Sequence, residues 1–262
     1  KLFFLFFYFI FICVYAQEKI QLNGTWKFAL ARTEQEANSL SKFYSSDFFN
    51  NRFKEIPVPS NWAVLGYEEP VYRGFNNNKA SEGFYIRKFN VSRNVSSERV
   101  LLHFGGVWSS AEVWLNGKPI GRHDSGYTSF AFDVSKEINK GENILAVRVR
   151  QVTNEYKIDV YDDWTLGGIY RDVVLEFMPR KRYIDKVSFK TRFDSLYKNA
   201  NLDIKVMVAD RQKNTLPGNY PSPGEPYILG FNLEDDKGRL VASEKISVPA
   251  HISTGRETEL SL

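Results

Sequence analysis

Cysteine is nearly absent from this sequence of 262 residues, whose single residue of this type, Cys13, lies in an apolar segment at the start of the chain. From Gln17 onward the sequence therefore offers no thiol for a disulfide bond, a thiolate metal site or a cysteine nucleophile. The three histidines show no metal-ligand spacing either. We expect burial of apolar surface alone to stabilise the protein, which its length permits.

An excess of one charge sign is also missing. The sequence has 35 Lys and Arg against 31 Asp and Glu, and the net charge of +4 is scattered along the chain. This excludes a basic stripe of the kind that binds nucleic acid. Glycine-rich phosphate loops and dinucleotide-binding motifs are absent as well. The hydrophobic share of 43% and the charged share of 25% are typical of a soluble globular protein with one or two domains.

One long apolar run occurs, at residues 2–16 behind Lys1. Its core of about 13 residues has the length of a signal-peptide core and is too short to span a bilayer. Val14 and Ala16 suit the −3 and −1 positions of a cleavage site. Residues 1–16 are therefore predicted to be the signal peptide of an exported protein, periplasmic or extracellular. An uncleaved membrane anchor is the alternative.

Apolar and polar residues alternate in most of the remaining chain, which indicates half-buried β-strands. Residues 145–149 show this alternation, with Leu145 and Val149 on the apolar side. Asn116-Gly117 lies between two such runs and predicts a tight hairpin turn, because both residues tolerate a positive φ. Residues 33–50 have room for a turn or two of helix. The sequence therefore predicts an all-β protein.

A domain boundary is predicted near residues 178–183, where Pro179 and three basic residues interrupt the apolar alternation. A second set of short strand patterns follows. It covers roughly 80 residues, fewer than the ~100 of an immunoglobulin-like sandwich. The sequence also stops within a strand pattern. We therefore expect the second domain to be truncated in this chain.

Eight short motifs occur in the order found in the N-terminal domain of glycoside hydrolase family 2, and the sequence resembles that family. The motifs are residues 22–28 (LNGTWKF), 57–62 (PVPSNW), 66–67 (GY), 70–72 (PVY), 83–89 (GFYIRKF), 113–118 (VWLNGK), 141–143 (GEN) and 162–173 (DDWTLGGIYRDV). Each motif is weak alone, but eight in order are specific. The resemblance is strongest to the β-galactosidases of the family, because of Ser60-Asn61-Trp62 and the aromatic residue in Asp162-Asp163-Trp164.

The resemblance implies a jelly-roll sugar-binding domain (galactose-binding-like) over residues 17–180 and a truncated immunoglobulin-like sandwich over residues 181–262. In the family a (β/α)₈ barrel follows, with the two catalytic glutamates of a retaining mechanism. We expect these glutamates beyond residue 262. On this interpretation the chain is the N-terminal fragment of an exported retaining β-glycosidase and is inactive by itself.

The site residues implied by the resemblance are Asp162, Trp164 and Asn78. Asp162 matches a family aspartate that hydrogen-bonds a sugar hydroxyl in the −1 subsite, and in β-galactosidases it also ligates a monovalent cation. Na⁺ is thus a candidate ligand of Asp162, and Mg²⁺ a candidate for the full-length enzyme. A solvated loop carboxylate, or a role shifted to Asp163, is the alternative. An alignment without gaps places Ala80 where β-galactosidases have an asparagine. Asn78 would take the place of that asparagine if the loop is one or two residues longer.

The partners implied by the resemblance are a carbohydrate substrate, such as a β-galactoside, and the chain's own C-terminal barrel. Nucleic acid is not among them, and homo-oligomerisation stays open. A non-catalytic carbohydrate-binding module is the alternative function. Trp62, Trp108 and Trp114 could also stack on sugars, although for Trp62 and Trp114 the apolar strand-like surroundings favour structural packing.

Overall fold

The computed structural model describes residues 18–45, 52–70, 72, 81–151, 164, 166–180, 182–210, 227–248 and 256–261. The chain divides into two compact units between Met178 and Pro179. Within these described ranges, no helix combines the length and hydropathy needed to cross a membrane.

The first unit is built almost entirely of strands. Its described elements are, in chain order, β1 (Glu18–Gln21), β2 (Gly24–Ala31), α1 (Glu34–Ser39), β3 (Lys54–Val58), β4 (Glu82–Val91), β5 (Glu98–Phe104), β6 (Val107–Trp108), β7 (Ser110–Leu115), β8 (Lys118–Asp124), β9 (Phe130–Asp133), β10 (Gly141–Arg150), β11 (Gly168–Ile169) and β12 (Val173–Pro179).

Two antiparallel sheets form a sandwich in this unit. The larger sheet has the strand order β3-β2-β4-β10-β7-β8, and the smaller one has the order β1-β12-β5-β9. Apolar side chains from both sheets form the main core, among them Phe28, Tyr85, Phe104, Val147 and Leu175. Burying so much aromatic and aliphatic surface between two sheets is the principal stabilising term. The prediction of an all-β sandwich is confirmed.

The hairpin predicted at Asn116-Gly117 is also confirmed. These two residues join β7 to β8, and their φ angles are 53° and 79°. Both values lie in the left-handed region that this two-residue turn requires. The Asn116 side chain fixes the turn further, because it donates to the carbonyl of Glu137 at 2.8 Å and accepts from the N–H of Ile144 at 2.9 Å.

The short helix predicted within residues 33–50 is present as α1 and covers part of the outer face of the larger sheet. Thr33 caps its N-terminus by accepting a hydrogen bond from the N–H of Glu36 at 3.2 Å. Ala37 of the helix and Phe43 just beyond it pack onto Phe84 and its neighbours in a second apolar cluster. The larger sheet is therefore buried on parts of both faces.

The second unit contains five described strands: β13 (Arg182–Phe193), β14 (Ala200–Asp210), β15 (Tyr227–Glu234), β16 (Leu240–Val248) and β17 (Arg256–Ser261). They form a sheet with the order β13-β14-β17 and an antiparallel β15-β16 pair. Ile204, Val206 and Val208 of β14 make a small core with Leu229 of β15. The all-β prediction holds for this unit as well.

Candidate functional site

Two of the predicted site residues, Asn78 and Asp162, lie outside the described residues. The described chain nevertheless fixes the ends of the stretches that carry them. We call residues 73–80 the Asn78 segment and residues 152–163 the Asp162 segment. The Asn78 segment is preceded by Tyr72 and followed by Ser81. The Asp162 segment is preceded by Gln151 and followed by Trp164.

One end of each segment lies at the same point of the larger sheet. The N–H of Gln151 donates to the carbonyl of Ser81 at 3.1 Å, and the N–H of Ser81 lies 3.4 Å from the side-chain oxygen of Gln151. The pair continues the ladder in which Arg150 at the end of β10 faces Glu82 at the start of β4. Ser81 and Gln151, which are 70 positions apart in the sequence, are thus held together. Ser81 directly follows the Asn78 segment, and Gln151 directly precedes the Asp162 segment.

The other ends meet through two aromatic rings. The ring centroids of Tyr72 and Trp164 are 5.4 Å apart, at an interplanar angle of 65°. Both side chains are about half exposed, at 49% and 53%. The residues that flank the two segments on this side, one on each, are therefore in contact.

Glu68 connects these ends from within the chain just before the Asn78 segment. One carboxylate oxygen accepts a hydrogen bond from Trp62 Nε1 at 2.5 Å, and the other accepts from Ser81 Oγ at 2.6 Å. Trp62 is fully buried, and its indole packs where Gly83 and Gly167 leave room for it. The main-chain N–H of Trp62 donates to the carbonyl of Gly167 at 3.1 Å. Both oxygens of Glu68 are thus engaged, one by the residue that follows the Asn78 segment and the other by a buried tryptophan.

Buried serines lie beneath the Gln151 end of the Asp162 segment. The N–H of Ser109 donates to the carbonyl of Arg150 at 3.0 Å, and its hydroxyl lies 3.2 Å from the carbonyl of Gln151. Ser110 faces Asp124 of β8 in the sheet register, and Asp124 accepts a hydrogen bond from Arg122 Nε at 3.0 Å. Burial raises the pKa of Asp124, but the Ser110 hydroxyl and Arg122 outweigh it, so that the pKa lies below its usual value. Asp124 is therefore ionised at neutral pH.

An ion-pair network lies beside this end of the segments. Arg148 and Arg150 of β10 each contact Glu82 of β4, at 2.6 and 3.5 Å, and Glu112 of β7, at 3.6 and 3.0 Å. All four side chains are 20–25% exposed, so water screens the network less than it screens surface pairs. The network thereby joins three neighbouring strands of the sheet, β4, β10 and β7. The Asn78 segment leads to β4, and the Asp162 segment follows β10.

The tryptophans separate into packing residues and one exposed residue. Trp62 and Trp108 are 0% and 5% exposed. Trp114 stacks on Tyr44 with centroids 5.1 Å apart and an interplanar angle of 5°. Structural packing, as predicted for Trp62 and Trp114, is confirmed, while stacking of Trp108 on a sugar is contradicted by its burial. Trp164, two positions after the predicted site residue Asp162 in the sequence, keeps an accessible ring.

Three residues of this region escaped the sequence analysis: Tyr72, Glu68 and Gln151. Tyr72 belongs to a recognised motif, so its aromatic type was a usable signal. The roles of Glu68 and Gln151 follow from partners 13 and 70 positions away, which no local pattern reveals.

The described residues bear on the cation that the resemblance implies. Among these, no group of three or more His, Cys, Asp or Glu side chains could hold a metal ion. Near the ends of the two segments, the oxygens of Glu68 and Gln151 are already engaged in hydrogen bonds within the protein. These residues do not form a cation site by themselves.

Comparison with known proteins identifies the family to which the chain belongs. Residues 20–179 match the sequence model of the family described as "Glycosyl hydrolases family 2, sugar binding domain". A sandwich of this kind, with this family match over more than half of the chain, defines a sugar-binding domain of a glycosidase. The chain belongs to glycoside hydrolase family 2.

Its relatives include several β-galactosidases. That of Kluyveromyces lactis is 31% identical over 259 residues, which are 92% of this chain and 25% of that protein. That of Vibrio vulnificus is 30% identical over 208 residues, which are 75% of this chain and 20% of that protein. The chain thus spans a quarter or less of the length of these relatives.

Solved structures share the fold. A putative β-galactosidase from Bacteroides fragilis has a TM-score of 0.69 at 21% identity, covering 94% of this chain and 36% of that one. Bacteroides uniformis β-glucuronidase 2, covalently bound to cyclophellitol-6-carboxylate aziridine, has a TM-score of 0.70 at 22% identity, covering 94% of this chain and 28% of that one. These likenesses support the sandwich architecture of the chain.

Proposed function

We propose that the chain is the N-terminal part of a retaining β-galactosidase and that its Asn78 and Asp162 segments complete the sugar pocket of the whole enzyme. The observation that carries this proposal is the contact between the residues that flank the two segments, Ser81 with Gln151 on one side and Tyr72 with Trp164 on the other. The β-galactosidase names of the relatives support the choice of sugar.

The chemistry of the two segments suits a sugar. An ionised carboxylate such as Asp162 accepts several hydrogen bonds from hydroxyl groups, and the amide of Asn78 can donate and accept. The exposed ring of Trp164 offers an apolar face for the C–H surface of a pyranose, with Tyr72 at its edge. Polar groups beside an aromatic face are the usual composition of a small-molecule site.

In the whole enzyme we expect a double displacement at the β-glycosidic bond. One barrel glutamate attacks the anomeric carbon while the other protonates the leaving oxygen, and water then releases the sugar with net retention. The contribution of this chain is to bind and orient the sugar in the −1 subsite, not to react with it. Orientation alone can supply a large part of the rate enhancement.

The test is an Asp162→Asn substitution in the full-length protein, assayed on 4-nitrophenyl β-galactoside and 4-nitrophenyl β-glucuronide. We expect hydrolysis of the galactoside by the parent enzyme and a fall in kcat/KM of about 10²-fold in the variant, the usual effect of losing a hydrogen bond made in the transition state. Asp163→Asn and Asp159→Asn, in the same segment, are the matched controls and should change kcat/KM by less than about 3-fold.

An unchanged Asp162→Asn enzyme would remove this residue from the pocket, and a large defect in Asp163→Asn would move the role by one position. Preference of the parent enzyme for the glucuronide would refute the proposed sugar. Asn78→Ala, with Asn76→Ala and Asn77→Ala as controls, tests the second segment in the same assay.

The exposed Tyr72 and Trp164 rings also favour a second candidate, a carbohydrate-binding module without catalysis. It would bind galactosides through the chain alone, quenching the fluorescence of Trp164, and the full-length protein would hydrolyse none. Hydrolysis that depends on Asp162 would reject it.

We also propose that the protein is exported to the periplasm or the extracellular space. The support is the apolar run of residues 2–16 with Val14 and Ala16 at the cleavage positions. N-terminal sequencing of the secreted protein should then begin at Gln17, whereas a retained apolar segment would indicate an anchor.

A further inference from the structure

We propose that Asn23 is a site at which the folded chain deamidates, and that Asp172 sets the rate of this reaction. The inference is independent of the proposed function. Asparagine is a chemically labile residue, above all before glycine, which has no side chain to hinder the approach of its own nitrogen. Two asparagines of the sequence precede a glycine, in Asn23-Gly24 and Asn116-Gly117.

The chemistry needs no reactant other than water. The main-chain nitrogen of the glycine attacks Cγ of the asparagine and forms a new C–N bond. The bond between Cγ and Nδ2 breaks, and Nδ2 leaves as ammonia with the proton that the glycine nitrogen has lost. Water then opens the cyclic imide at either of its two carbonyl carbons, which gives aspartate or isoaspartate. Because the side-chain amide must turn towards the glycine nitrogen, hydrogen bonds that hold the amide slow the reaction.

The amide of Asn116 is held by three hydrogen bonds. Its Nδ2 donates to the carbonyl of Glu137 and to Oδ1 of Asn143, both at 2.8 Å. Its Oδ1 accepts from the N–H of Ile144 at 2.9 Å. Asn143 is fully buried, so turning the Asn116 amide would break a hydrogen bond that water cannot readily replace. Asn116 should therefore react only when this part of the larger sheet unfolds.

The amide of Asn23 is held by fewer and more exposed contacts. Its Nδ2 donates to Oδ1 of Asp172 at 2.7 Å, and its Oδ1 accepts from the N–H of Val173 at 3.0 Å. Asp172 and Gly24 are exposed, and Asn23 is half-buried. Water can thus replace the Asp172 bond at little cost, whereas the bonds of Asn116 are partly buried.

The place of Asn23 in the fold also favours local opening. Asn23 lies between β1 and β2, and β1 is a four-residue strand at the edge of the smaller sheet. Short edge strands near a chain terminus open at a lower free energy than strands in the middle of a sheet. Opening of this corner frees the Asn23 amide while the rest of the sandwich stays folded. The hydrogen bond to Asp172 is the contact that opposes this step.

The products of the reaction fit the corner poorly. Aspartate places an oxygen where Nδ2 of Asn23 donates to Asp172, so two charged acceptors face one another at hydrogen-bond distance. Isoaspartate adds a carbon to the main chain directly after Leu22, whose side chain is buried and whose N–H donates to the carbonyl of Val173 at 2.8 Å. Deamidation therefore weakens the attachment of β1, and it is irreversible because ammonia is lost.

The experiment follows deamidation at both sites of the full chain by peptide mass spectrometry at mildly alkaline pH. In the folded parent, Asn23 should react at a rate that does not change with urea below the unfolding transition, and Asn116 only as the chain unfolds. Asp172→Ala should raise the Asn23 rate by about 10-fold, the effect of losing one hydrogen bond to a charged group, and leave Asn116 unchanged. Asp172→Asn keeps an acceptor oxygen and should stay within about 3-fold of the parent.

The matched control is Glu55→Ala, which removes an exposed carboxylate paired with Lys27 at 3.0 Å and should change neither rate. The chain unfolded in concentrated urea gives the reference, in which both asparagines should react alike. If Asp172→Ala does not fold, both sites react at this reference rate, and the urea dependence of the two sites in the parent decides the proposal.

Each outcome bears on a separate part of the proposal. A faster reaction of Asn23 alone, absent in Asp172→Asn, supports the site and the role of Asp172. An Asn23 rate that Asp172→Ala leaves unchanged overturns the role of Asp172. An Asn23 rate that rises with urea in parallel with that of Asn116 overturns the site, because global unfolding would then be required. An unchanged urea midpoint in Asn23→Asp overturns the weakened attachment of β1 alone.

Discussion

The substitution Gly167→Ala should destabilise the first unit strongly, because Gly167 lies against the indole of Trp62. A Cβ atom at Gly167 would lie 2.0 Å from Trp62 Cζ2 and 2.3 Å from Cη2. Carbon atoms in contact are separated by about 3.5 Å or more. The indole would therefore have to move by about 1.5 Å to accept a single methyl group.

Trp62 cannot make this movement cheaply. It is 0% exposed, and a Cβ at Gly83 would lie 2.7 Å from another of its ring atoms, so the ring fills its space against both glycines. It also stacks near Phe28, with centroids 6.0 Å apart, and is hydrogen-bonded to Glu68. Overpacking a rigid core costs typically about 1–3 kcal/mol, and we expect about 3 kcal/mol here.

Urea unfolding followed by tryptophan fluorescence provides the assay. All five tryptophans precede Met178, so the signal comes from the first unit alone. Trp62→Phe removes the ring atoms that clash, and Gly167→Ala should then cost at least about 1 kcal/mol less than in the parent. Gly230→Ala is the control, since nothing lies within 4 Å of its added Cβ, and the fluorescence transition should not move.

The reasoning would be refuted by a Gly167→Ala protein as stable as the parent. It would be refuted equally by the same loss of stability in the parent and in the Trp62→Phe background, because the clash would then not be the cause.

Two further predictions concern stability in the same assay. Asn143 is 0% exposed, and its side-chain amide makes four hydrogen bonds, one of them accepted from Asn116 at 2.8 Å. Asn143→Ala should therefore lower the free energy of unfolding by about 3–4 kcal/mol. A decrease below about 1 kcal/mol would contradict this. Burial raises the pKa of Asp133, but hydrogen bonds from Ser135 and the charge of Arg99 outweigh it and hold the pKa below its usual value. Because the folded-state pKa is lowered, the contribution of Asp133 is present above about pH 4 and is lost as the pH falls further. The urea midpoint should thus fall less between pH 5 and pH 3 in Asp133→Asn than in the parent, and equal falls would exclude this role.

Local features of the sequence determined the class of fold. Alternation with a period of two places Leu145 and Val149 in the core because successive side chains of a strand point to opposite faces. The turn at Asn116-Gly117 depends on two residues that tolerate a positive φ, and the cap at Thr33 depends on its own hydroxyl. Each of these causes acts within a few residues, so the sequence contains it whole. The order of the family motifs, likewise, can be seen without coordinates.

The tertiary structure alone decided which residues surround the candidate site. Ser81 and Gln151 meet because β4 and β10 are neighbours in the sheet, although 70 positions separate them in the chain. Trp108 resembles a sugar-binding aromatic residue in type, and only its burial makes it a packing residue. Glu68 is an ordinary acidic residue in the sequence, and only the fold brings to it the two groups that donate hydrogen bonds to its carboxylate. Such contacts follow from strand order and burial, which are properties of the folded chain as a whole.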